Sequence, residues 1–105
     1  MKHYTVAELR VTDPAWVRDY LAEVTGMVER HGGRYLARTP RVETVEGEQR
    51  DALVVLIEWP SAQAAHAFYD SEDYRPHRER RRAGAENRFV LVAGEDVGAL
   101  ARMAD

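Results

Sequence analysis

Residues 52–59 read ALVVLIEW, and within Leu53-Val54-Val55-Leu56-Ile57 both alternating sets of side chains are aliphatic. Successive side chains of a strand point to opposite faces, so this stretch is apolar front and back. A sheet built around it needs cover on both sides. The chain has 105 residues, a size that buries roughly 65% of its unfolded surface in one core. Helices can roof one face. The other face calls for a second copy, stacked sheet to sheet across a two-fold axis. Val90 and Val92 on one side of the last strand, with Phe89 and Leu91 on the other, repeat the pattern. The expectation is a homodimer; the alternative is a monomer with a greasy sheet.

The rest of the chain supplies the roof. Lys2 to Val11 alternates and reads as a strand. Asp13-Pro14 starts a helix: Asp caps free N–H groups, and Pro loses nothing at the first turn. Trp16, Val17, Tyr20, Leu21, Val24, Met27 and Val28 then recur in steps of three and four as one helical stripe. His31-Gly32-Gly33 ends it. Arg34 to Thr39 is a second strand, broken by Pro40, with Arg41 to Glu46 as an irregular extension and Gly47 to Asp51 as a polar turn. Ser61 caps a helix lined by Ala64, Ala65, Phe68 and Tyr69. After Ser71 a further helix runs from Asp73 to Ala83 and closes at Gly84. Asn87 to Ala93 is the last strand, and Asp96 to Met103 a short terminal helix. The order β-α-β-β-α-β predicts a single ferredoxin-like domain over 1–105, with a four-stranded antiparallel sheet, order 4-1-3-2, and its helices on one face. On the opposite face Glu8 and Glu58 accompany the aliphatics. Arg34 and Arg38 alternate around Leu36 on that face, and one or the other is expected beside Glu58 as a cross-strand ion pair that sets register.

Composition excludes several functions. The net charge of −3 does not suit a polyanion binder. Cysteine is absent, which removes disulfides and thiol chemistry. No apolar run reaches the ~20 residues a membrane span needs, and MKHYTVAEL enters strand alternation with no secretory apolar region, so a cytoplasmic location is expected. The histidines are scattered without metal-ligand spacing, so no metal site is expected. Gly32-Gly33 precedes a strand, the wrong order for a dinucleotide loop. Five arginines crowd Arg75 to Arg82, but helical geometry divides them between faces and Asp70, Glu72, Asp73, Glu79 and Glu86 offset them. A salt-bridged, solvated helix fits this run better than a nucleic-acid surface.

Two stretches resemble a known family. His31-Gly32-Gly33-Arg34-Tyr35-Leu36-Ala37-Arg38 is similar to its glycine-pair-then-strand signature. Glu58-Trp59-Pro60-Ser61, Ala64-Ala65, Phe68-Tyr69, Ser71 and Asp73-Tyr74 resemble its second motif. The family is the bacterial domain of unknown function 1330, within the dimeric α+β barrel superfamily. The resemblance implies a ferredoxin-like fold and a two-fold dimer. Relatives across the superfamily include cofactor-free monooxygenases, muconolactone isomerase and haem enzymes, an analogy of fold alone. Two departures stand out: Thr39-Pro40 replaces a second glycine pair, and His77 replaces an apolar residue.

Relatives of this fold place a cavity between helices and sheet. Here its borders would be the first helix, Trp59 and residues 68–82. Tyr74, His77, Arg78 and Arg81 fall at i, i+3, i+4 and i+7, so one helix face gathers a phenol, an imidazole and two guanidiniums. Such a face can bind a carboxylate or enolate and stabilise its charge. Histidine as a residue type titrates near neutrality, which makes His77 the candidate acid–base group, with Tyr74 and Arg81 as catalytic partners. Tyr20, Trp59, Phe68, Tyr69 and Arg78 are candidate substrate-binding residues. Each also has a structural reading: His77 as a surface histidine among solvated arginines, Tyr69 and Tyr74 as buried rings with satisfied hydroxyls, Trp59 as core. His31 reads as a C-terminal cap and His66 as solvent-facing. The expected function is a small-molecule enzyme or binder, with cofactor-free proton transfer, isomerisation, cyclisation or oxygenation of a carbonyl or phenolic metabolite. The alternative is a non-catalytic dimeric binding protein.

Overall fold

The computed structural model describes residues 1–103. Strand β1 (His3–Val11) leads through a 3₁₀ turn (Pro14–Trp16) into α1 (Val17–Arg30), then β2 (Arg34–Thr39), β3 (Leu53–Trp59), α2 (Ala62–Tyr69), α3 (Arg75–Ala83) and β4 (Ala85–Ala93). A second 3₁₀ turn (Val97–Ala99) and a short α4 (Leu100–Met103) follow. All pairings are antiparallel and the sheet order is β2-β3-β1-β4. This is the α+β ferredoxin-like arrangement expected from the element order.

The ends form where the local chemistry dictates. Asp13 accepts the Ala15 N–H at 3.0 Å, and Ser61 Oγ accepts the Ala64 N–H at 3.1 Å. Gly32 takes φ +85° past the end of α1, a conformation open to glycine. Gly33 serves by closeness instead, since a Cβ there would lie 2.6 Å from Val28 and 2.7 Å from Trp59. The Gly84 carbonyl gathers three donors: Thr12 N, Asp13 N and Trp16 Nε1, at 2.9, 3.1 and 3.1 Å. They tie the end of α3 to the start of α1.

The sheet has the two expected faces. Toward the helices it presents Ala7, Leu9, Ile57 and Trp59, all buried, packed with Val24, Val28, Ala65, Phe68 and Tyr74. The opposite face carries Val6, Val54 and Leu56, half-buried in the single chain, with Val90 and Val92 37% and 45% exposed.

Strand β2 corrects the expectation for Arg38. Arg34 pairs with Glu58 and Tyr35 with Ile57, but Ala37, not Leu36, pairs with Leu56. Leu36 is an extra residue, a β-bulge, and it inverts the facing of everything after it. Arg34 keeps its ion pair with Glu58 at 3.6 Å, joined by Lys2 at 3.1 Å. Arg38 falls opposite Val55, on the helix side. Residues 41–46 form no strand extension; past Pro40 the chain has no partner strand to extend against. Strand β4 begins at Ala85, two residues earlier than Asn87, because β1 continues to pair with it through Val11.

Candidate functional site

A cavity of about 200 Å³ lies between α1 and the sheet. Its walls are mostly aromatic and aliphatic. Trp59 stacks on Phe68 at 5.4 Å, Phe68 meets Tyr74 at 4.3 Å, and Tyr69 stands 5.9 Å from Tyr74, centroid to centroid. Thr5 Oγ1 accepts the Trp59 indole N–H at 2.8 Å, so Trp59 brings no free donor to the chamber. Leu21, expected in the core stripe of α1, is 49% exposed and lines the cavity near its mouth.

The polar end is built by α1 and α3. Tyr74 precedes α3, and its approach is set by Ser71, whose Oγ donates to the Phe68 carbonyl at 2.8 Å and accepts the Tyr74 N–H at 3.3 Å. That geometry explains why serine and tyrosine stand three apart here. Tyr20 and Tyr74 share a hydrogen bond of 2.6 Å between their hydroxyls. About two turns further on, Arg81 Nε donates to the Tyr74 hydroxyl at 3.3 Å. Its Nη1 donates to Asn87 Oδ1 at 2.6 Å, and its guanidinium lies 4.0 Å from the centre of the Phe89 ring. Arg81 is 1% exposed, and its Nη2 has no hydrogen-bond partner. No carboxylate pairs with it among the described residues.

Burial raises the pKa of Tyr20, reinforced by the neighbouring Tyr74, so Tyr20 stays a protonated phenol. Burial likewise pushes Tyr35 up to about 12. For Arg81, burial opposes the charge, but the oxygens of Tyr74 and Tyr20 outweigh it and the net shift is upward.

The predicted helix face exists, but its members divide. Tyr20, Trp59, Phe68, Tyr69 and Tyr74 line the cavity. Arg81 backs Tyr74 from behind the wall. His77 does not line the cavity, contrary to its expected place there. It is 4% exposed, its ring set edge-on 6.3 Å from Tyr20, and its Nε2 meets Glu23 at 2.9 Å. Arg80 Nη2 lies 3.3 Å from its Nδ1. A donor can only meet an acceptor there, so Nε2 carries the proton toward Glu23. The physical reason for the correction is helical phase: a step of three from Tyr74 turns His77 toward α1 rather than toward the sheet. Arg78 also stands outside the cavity wall. Its Nη1 donates to the Tyr69 carbonyl at 2.7 Å and closes the end of α2.

Tyr35 and Arg38 are also wall residues and lay outside the candidate binding set. Tyr35 lines the cavity, and Arg38 rests 3.8 Å over its ring while donating to Thr25 Oγ1 at 2.7 Å. The bulge at Leu36 hid Arg38, whereas Tyr35 precedes it in regular register with Ile57. His31 caps α1, its Nδ1 2.9 Å from the Met27 carbonyl, and His66 is exposed, both as read from sequence. Among the described residues no three His, Cys, Asp or Glu side chains converge, and no helix is long and apolar enough to cross a membrane.

Solved structures place the fold among known proteins. A protein of unknown function from Rhodopseudomonas palustris is 16% identical, with a TM-score of 0.73 over 90% of this chain and 83% of that one. SnoaB, a cofactor-independent oxygenase from Streptomyces nogalater, is 18% identical, with a TM-score of 0.61 over 92% and 96%. A conserved protein from Methanosarcina mazei Go1 is 13% identical, with a TM-score of 0.52 over 90% and 95%. Likeness at these identities establishes the shared fold alone. No curated protein matches the sequence. Residues 2–95, nearly the whole chain, match the family described as Domain of unknown function (DUF1330), and the chain belongs to that family.

Proposed function

We propose that this protein is a small-molecule enzyme or binder that seats a carbonyl or phenolic compound in the helix–sheet cavity, its oxygen against the Tyr20–Tyr74 pair. One observation carries the reading: the donors at the polar end outnumber the acceptors. Two phenols bring two protons, and their mutual bond uses one. Arg81 only donates. Among the described residues one phenolic proton therefore has no acceptor, a costly arrangement in a buried site unless a ligand supplies one. A ligand oxygen that gains negative charge during reaction would be held by that phenol, with the Arg81 guanidinium behind it in a low-dielectric setting. Proton donation to a carbonyl, as in isomerisation or cyclisation, needs only these groups on the oxygen side. The SnoaB fold match supports cofactor-independent oxygenation as a variant of the same enolate chemistry.

A second reading has its own support. Among the described residues the cavity wall holds no imidazole and no carboxylate, the usual groups for removing a proton from carbon. Binding without turnover fits that wall. In this scheme His77 is a positioning residue that fixes Tyr20 through ring contact. The apolar outer sheet face fits a second copy, and we infer a homodimer with one cavity per chain.

Thermal-shift screening of small carbonyl and phenolic compounds, followed by NMR on each hit, tests the proposal. The expected result is a raised Tm for at least one compound, with perturbed resonances from Tyr20, Phe68 and Tyr74, and weaker binding in Tyr74→Phe. Hits whose perturbations avoid this chamber would overturn it. Turnover of a hit separates enzyme from binder.

A further inference from the structure

The charged groups around the cavity carry a further inference, which rests on the small-molecule reading above. Acidic side chains outnumber basic ones in the chain, 18 to 15, yet among the described residues none lines the chamber. Among the described residues, the charged residue in its wall is Arg38. Behind the wall stands Arg81, bonded to Tyr74. Neither has an ion-pair partner among the described residues. Arg38 is also held in place. Its guanidinium lies 3.8 Å over the Tyr35 ring and donates one hydrogen bond to Thr25, which leaves further N–H donors open. A planar fork fixed in this way is preorganised for a carboxylate.

The two arginines differ in setting. Arg38 is exposed, so an anion meeting it keeps part of its hydration. The Tyr20–Tyr74–Arg81 end is buried, where a full charge costs more and a carbonyl, enol or phenol oxygen costs less. Size narrows the class. A chamber of about 200 Å³ takes about ten non-hydrogen atoms at roughly 20 Å³ each in close packing. That is one ring with two short substituents. The stacked aromatic walls favour a flat body.

We propose that the occupant is a small, flat oxo- or hydroxy-acid, with its carboxylate on Arg38 at the mouth and its second oxygen on the Tyr20–Tyr74 pair. The β-bulge at Leu36 is then a specificity device, since it alone carries Arg38 to this side of the sheet.

Four probes test this on the full chain by calorimetry and thermal shift: 4-hydroxybenzoate, its methyl ester, benzoate and toluene. Two gaps of about tenfold in affinity are expected, hydroxy-acid over ester and hydroxy-acid over benzoate. Arg38→Gln, a surface change, closes the first gap and leaves the second. Tyr74→Phe closes the second and leaves the first. Arg34→Gln, the same charge change on the opposite sheet face, leaves both. An ester or toluene that binds as well as the acid overturns the proposal while the cavity reading stands. So does an acid–ester gap that survives in Arg38→Gln. If no probe binds, toluene included, the cavity reading itself fails.

Discussion

Arg81 is a buried charge held by hydrogen bonds rather than by a carboxylate. It is fully buried without a carboxylate, and one of its nitrogens is unbonded. Its charge is nonetheless favoured, because the oxygens of Tyr74 and Tyr20 outweigh the cost of burial. Arg81→Met is expected to lower unfolding free energy by about 1 kcal/mol, because it removes the hydrogen bonds to Tyr74 and Asn87. The same variant is expected to weaken binding of any oxygen ligand. Urea midpoints and titration check both, and a destabilised variant that binds normally would contradict the assignment. The phenols give a second test. Tyr35 is shifted from about 10 to about 12, so the fold prefers its protonated form. That stability is complete below pH 10 and is lost as pH rises toward 12. Tyr20 is shifted in the same direction. Urea midpoints are expected to fall above pH 10, and less steeply in Tyr35→Phe. The face of Tyr74, His77 and Arg81 was legible from spacing alone. Its division was not, because 3.6-residue phase places neighbours on one face without saying which contacts the sheet and which a helix.

At the scale of elements, the turn between α2 and α3 decides the site. Ser71 holds the Phe68 carbonyl and the Tyr74 N–H together, which aims the Tyr74 ring at Tyr20. Ser71→Ala is expected to cost about 1 kcal/mol and to loosen the Tyr20–Tyr74 bond. Circular dichroism melting measures the first effect and tyrosine hydroxyl exchange by NMR the second. Strand β2 is the opposite case. Its residues Arg34 to Thr39 were readable as a strand, and the Arg34–Glu58 pair as register. The bulge was invisible, because no glycine or proline marks Leu36. A bulge is settled by the pairing strand, and Leu56 belongs to another part of the chain. A one-residue slip in facing moved Arg38 from the outer face to the cavity.

For the whole molecule, the decisive quantity is the apolar sheet face opposite the helices. Val6, Val54, Leu56, Val90 and Val92 form it, with Lys2, Arg34 and Glu58 at its edge. The carboxyl of Glu58 is held below its ordinary range by Lys2 and then by Arg34. A face of this kind gains from covering, at roughly 25 cal/mol per Å² of apolar area. Sedimentation at micromolar concentration is expected to show a dimer, and Leu56→Lys to shift it to monomer with each fold intact. A wild-type chain that sediments alone would assign this face another role.

The sequence by itself determined the elements, their order, the two-faced sheet and the family, because each rests on local periodicity, capping residues or a short motif. Tertiary structure alone decided which polar groups share a chamber. Helical phase relative to the sheet sent His77 toward Glu23 and left Tyr74 on the cavity, and a bulge opposite Leu56 brought Arg38 to its mouth. Such outcomes depend on contacts between segments distant along the chain, and no local pattern encodes where those segments meet.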